Sequence, residues 1–114
     1  MSQSDIEKIE IGIEEARKII ERGELAEKLS KNREFKKLIL EGYFVEEASR
    51  LTHLLSDPSI IRDGNQKFVE NDLMGIGGLK RYLSTIVRLG HNMQDELREM
   101  ENTLEELRLE EMEE

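Results

Sequence analysis

The sequence predicts an all-α protein: an elongated helical hairpin or a small bundle of three main helices, with a long C-terminal coiled-coil-like helix. Three observations lead there. Of 114 residues, 37% are hydrophobic and 38% are charged, where an average globular domain is about one quarter charged, so the core is narrow. One Pro, no Cys and no Trp remove the common materials of sandwiches, disulfide scaffolds and zinc modules. Above all, apolar residues recur at steps of three and four, the signature of helices with one buried stripe. A chain of this length reads as one helical domain, residues 1–114.

The first helix is expected over residues 5–30. Ser4 and Glu7 have capping-box spacing, in which each side chain satisfies a backbone N–H left unpaired by the first turn. Ile6, Ile9, Ile13, Ala16 and Ile20 then share one face. Gly23 is either a hinge or a helical residue carried at a cost of about 1 kcal/mol relative to Ala. Asn32 is the next N-cap, with Glu34 in the first turn of a central helix over 33–56. The apolar stripe of that helix, from Phe35 through Tyr43, Phe44 and Leu51 to Leu55, is wide enough to face more than one neighbour. Pro58 ends it, having no N–H to donate, and Asp63-Gly64-Asn65 adds a turn signal, so 57–65 is expected to be a loop.

The last helix, over 66–110, carries the strongest pattern. Ile76, Leu79, Leu83, Ile86, Gly90, Met93, Leu97, Met100, Leu104 and Leu107 follow one another at three- and four-residue steps, and nine of the ten are apolar where chance would give about four. This is a heptad seam. At about 1.5 Å per residue the helix spans roughly 65 Å, more than a compact fold of this chain would cover. The seam must therefore face the N-terminal helix, a second copy or another protein. Heptad patterning does not say which. An acidic end, 111–114, follows.

The formal charge of −9 hides its distribution, because residues 93–114 carry two basic and ten acidic groups. That charge argues against a general affinity for phosphate backbones, which needs a basic face; Arg33, Lys36 and Lys37, with Lys80, Arg81 and Arg88, are the only basic concentrations and read as solvated flanks of the apolar stripes, so nucleic acid is not an expected partner. No apolar run reaches the eighteen or so residues of a membrane span, and the N-terminus lacks the apolar core of a secretory peptide, so no membrane partner and a cytoplasmic location are expected.

Chemistry-bearing motifs are scarce. Gly75-Ile76-Gly77-Gly78 followed by Lys80-Arg81 lacks the spacing and the preceding strand of a phosphate-binding loop, and reads as a close-packing or hinge segment. His53 and His91 each precede an Asp by four residues, allowing His53–Asp57 and His91–Asp95 surface pairs, but neither has a second His at metal-binding spacing. No Cys is present and no Ser sits in an activating motif. The expectation is a non-enzyme with no metal, no cofactor and no small-molecule substrate.

The stretch NREFKKLILEGYFVEEASRLTHLLS, residues 32–56, followed by MGIGGLKRYLSTIVRLG, residues 74–90, resembles small helical proteins encoded by tailed bacteriophages among their head and DNA-packaging genes. The positions that carry the likeness include Asn32, Phe35, Gly42, Tyr43, Phe44, Ala48, Leu51, Ile76, Gly77, Leu79 and Tyr82. It covers about half the chain and leaves out the first helix and the acidic end.

The resemblance implies a minor virion component or head-assembly factor, located in the infected bacterium's cytoplasm or in the virion, and it brings no catalytic residue with it. The work expected is protein–protein binding, to itself or to a larger phage or host protein, through Ile76, Leu79, Leu83, Ile86, Met93, Leu97, Met100, Leu104 and Leu107. The rival expectation is an acidic inhibitor of a host protein that mimics nucleic-acid charge.

Overall fold

The computed structural model describes residues 3–113, and among them the secondary structure is helical with no strand. Helix α1 runs Gln3–Ser30 without interruption. It already includes Ser4, so Ser4 is a first-turn residue and not the expected cap. Gly23 is no hinge. It is buried within the helix, at a close approach described below that outweighs its poor helix propensity.

Helix α2, residues 33–55, is composite. Asn32 caps it as expected, its Oδ1 accepting from the Phe35 N–H at 2.8 Å. One α-helical turn, Arg33–Phe35, gives way to a π-helix over Lys36–Glu47, and α-helical geometry returns over Ala48–Leu55. Such i→i+5 geometry usually occupies a single turn; here it lasts 12 residues. Widening the turn aligns residues four and five apart. Ile39, Leu40, Tyr43, Phe44 and Ala48 are thus half-buried together, while Leu38 and Val45 point outward.

The expected loop over 57–65 contains a further short helix, α3, Pro58–Arg62. The residues that stop α2 also start α3: Asp57 is its N-cap, accepting from the Ser59 N–H at 2.9 Å, and Pro58 takes the first helical position, where a missing N–H costs nothing. Gly64, at φ 74°, makes the turn that follows. Helix α4 then runs Gln66–Glu113, through Gly75, Gly77 and Gly78 without a break.

The chain divides into two compact units, with α1 and α4 contributing to both. In the terminal unit, residues 1–26 and 86–114, the described residues 3–26 and 86–113 form an antiparallel pair of helical segments. Ile6, Ile13, Ala16 and Leu107 are buried in it. Its direction follows from two contacts: Gly23 meets Gly90 at one end, and Arg108 reaches Glu10 at the other. The middle unit, residues 27–85, packs Leu51, Val69 and Ile76 at its centre, with Tyr43, Phe44, Leu54, Leu55, Ile60 and Leu73 around them.

Candidate interaction surfaces

The heptad seam faces inward. Ile76 and Leu107 are buried, Leu83, Ile86, Met93, Leu97, Met100 and Leu104 are half-buried, and Leu79 alone is counted as exposed, at 37%. In the terminal unit the helix opposite the seam is the chain's own α1. The residues expected to bind a partner are thus largely engaged in intrachain packing, with α1 one of the three occupants that the heptad pattern left open, and Leu79 and Leu104 among them also reach the surfaces described next.

The middle unit offers one such surface. On α4, Val69, Leu73 and Ile76 turn toward the core, and Leu83 is half-buried. About a quarter turn around the same helix, Phe68, Gly75, Leu79 and Tyr82 follow at steps of seven, four and three. Phe68 is 68% exposed and Tyr82 55%. The glycines leave the backbone bare between these rings: a Cβ placed on Gly78 would meet nothing within 4 Å, and one on Gly75 only the Tyr43 hydroxyl, at 3.8 Å. Among the described residues, no backbone of another helix comes within 4 Å of the Cβ position at Gly75 or Gly78. The sequence signal for this face was present in Phe68 and Tyr82 but lay outside the dominant heptad frame.

The terminal unit offers a second surface, a groove between the first turns of α1 and the last turns of α4. Ile11, Leu104 and Leu109 give it apolar character, and Ile11 and Leu109 are more than half exposed. Five glutamates line it, Glu7, Glu10, Glu14, Glu101 and Glu105. Two are bridged across the helix pair, Glu101 to Arg17 at 3.5 Å and Glu10 to Arg108 at 3.6 Å. The lining therefore carries a formal charge of −3. By sequence, residues 1–26 and 86–114 together hold seven basic and seventeen acidic groups, a formal −10, whereas residues 27–85 hold ten and nine.

The titratable groups make local contacts, within one or two turns of helix or across the helix pair. The His53 ring nitrogen Nδ1 lies 2.7 Å from the Ser49 carbonyl, and Asp57 is committed to Ser59, so the His53–Asp57 pair is not formed. Hydrogen bonds from the Ser59 N–H and hydroxyl hold the Asp57 carboxyl below the usual carboxylate range. Glu47 is likewise held low by a two-pronged hydrogen bond from the Arg50 guanidinium, with its second arm at 3.0 Å. Asp95 pairs with Arg98 at 3.6 Å. Among the described residues, no three His, Asp or Glu side chains are arranged to hold a metal ion, and no helix is long and apolar enough to cross a membrane. No family model matches the chain, and no curated protein or solved structure is significantly similar to it.

Proposed function

We propose that this protein is a non-enzymatic helical binding component of a tailed-phage assembly, a minor virion constituent or head-assembly factor, which docks a helix of a larger structural protein on the bare face of α4. The observation that carries this is the stripe of Phe68, Gly75, Leu79 and Tyr82. Exposed aromatic side chains are the residues from which binding hot spots are built. Bare glycines beside them let a partner backbone come close. Leu79 and Tyr82 also belong to the stretch that resembles small helical phage proteins encoded among head and DNA-packaging genes, and that gene neighbourhood suggests the biological setting.

Photo-crosslinking in phage-producing cells tests it. With p-benzoylphenylalanine replacing Phe68 or Tyr82, an adduct with a head structural protein is expected; at Arg81, exposed on another side of the same helix, none is. Absence of adducts at 68 and 82, or equal yield at 81, would sink the proposal. The formal −10 of the terminal unit favours one second reading, an acidic regulator seated on a basic host protein. An adduct with a host enzyme, lost on truncation after Arg108, would select that reading instead.

A further inference from the structure

We infer that copies of this chain join head to tail, the acidic groove of one terminal unit receiving the basic corner between α1 and α2 of a second copy. Both halves of the contact belong to the same chain. Residues 27–38 hold Lys28, Lys31, Arg33, Lys36 and Lys37 against Glu27 and Glu34, a formal +3 that matches the −3 of the groove lining. Apolar groups match as well. The corner leaves Leu29 and Leu38 exposed, at 43% and 72%, and the groove leaves Ile11 and Leu109 exposed among its glutamates. A purely electrostatic tether needs no such apolar patches; an interface with a dehydrated centre and a charged rim does.

The corner is already ordered for docking. The Lys31 N–H donates to the Lys28 carbonyl at 3.2 Å, the Asn32 N–H to the Leu29 carbonyl at 3.0 Å and the Lys36 N–H to the Asn32 carbonyl at 2.9 Å, so little backbone entropy is lost on binding. On the groove side, the Arg17–Glu101 and Arg108–Glu10 bridges tie α1 to α4 and remove two acidic groups from competition. Glu7 and Glu105 form no ion pair and are left to meet the lysines. Because groove and corner are different surfaces, the contact is heterologous: each copy that docks presents a fresh groove or corner, and copies add in series or close into a ring.

Sedimentation velocity of the full chain, from low to high micromolar concentration, reads this directly. At low ionic strength the sedimentation coefficient is expected to rise with concentration, and added salt should reverse the rise. Glu7→Lys with Glu105→Lys spoils the groove, and Lys36→Gln with Lys37→Gln, which removes the corner's charge without creating a match for the altered groove, spoils the corner; each pair should weaken association at least tenfold with an unchanged circular-dichroism spectrum. Mixed in equal amounts, the two variants keep one intact half each and should form a dimer that grows no further.

Glu21→Lys with Glu24→Lys makes the same charge change in the terminal unit outside the groove lining and should leave association intact. A wild-type chain that stays monomeric overturns the inference. So does a mixture that stays monomeric, or a control that dissociates as completely as the groove variant. The stripe on α4 takes no part: Phe68→Asp should leave the series unaltered, so failure here and failure of the proposed function are separable.

Discussion

At the crossing of α1 and α4, backbone meets backbone. A Cβ built on Gly23 would stand 2.9 Å from the Ile86 carbonyl oxygen and 3.2 Å from the Gly90 Cα, and neither atom belongs to a flexible side chain that could swing away. Gly78, in α4, has nothing within 4 Å of the same position. Both glycines are helical, so replacement by Ala brings each about 1 kcal/mol of helix propensity. The difference between the two variants therefore isolates the clash, which for an overpacked site costs about 1–3 kcal/mol. Gly78→Ala should raise the urea midpoint, and Gly23→Ala should fall below it by that difference, measured at dilution to keep association out of the comparison. Equal midpoints would mean that the helices spread apart without penalty. The Arg17–Glu101 and Arg108–Glu10 bridges do not set the close approach, because pairs this exposed contribute only about 0–1 kcal/mol.

Helix α3 is short enough for its cap to matter. Five residues make barely more than one turn, and Asp57 supplies an acceptor for the Ser59 N–H and hydroxyl. Since those bonds depress the carboxyl pKa in the folded chain, the cap's contribution is fully present above the ordinary carboxylate range and is lost as pH falls through the depressed value. An NMR titration should show the Ser59 amide resonance moving with a midpoint below that of an unperturbed Asp, and Asp57→Asn, which keeps an acceptor, should abolish the movement. A midpoint in the ordinary range would remove the cap. The case of α3 also shows what a sequence displays and what it conceals. Asp57-Pro58 was legible as a stop for α2 but serves equally as a start, and five residues are too few for a periodic pattern to announce a helix. The π-helical stretch was hidden because Ile39, Leu40, Tyr43, Phe44 and Ala48 read equally well as a wide α-helical stripe. The extent of α4 was plain from its seam, and the Asn32 cap from its residue type. What faced the seam was not, since a heptad pattern is satisfied by any helix that supplies the opposite side. The bare stripe through Phe68 and Tyr82 went unread for a related reason: a denser apolar frame ran alongside it on the same helix.

On the scale of the whole molecule, folding changes what the charge distribution means. Along the chain the excess sits in the last 22 residues; in the fold residues 93–113 lie against residues 3–26, and the unit they belong to, residues 1–26 and 86–114, is −10 by sequence. Glu110, Glu111 and Glu113 oppose the dipole of α4 in its last turn, where basic residues would be favoured, and they repel the remaining carboxylates of the same unit. Both effects act in the same direction. Glu110→Lys with Glu113→Lys should therefore stabilise the chain at low ionic strength, by about 0.3–1 kcal/mol for each position. The gain should fade toward zero at 1 M salt, where the screening length is about 3 Å. Glu41→Lys with Glu46→Lys makes an equal charge change in the near-neutral middle unit, away from any helix end. If the charge of the terminal unit is what destabilises, that pair should give no comparable gain in thermal midpoint. Equal stabilisation by both pairs, or a gain at the C-terminus that survives 1 M salt, would show that the acidic end acts through something other than its accumulated charge.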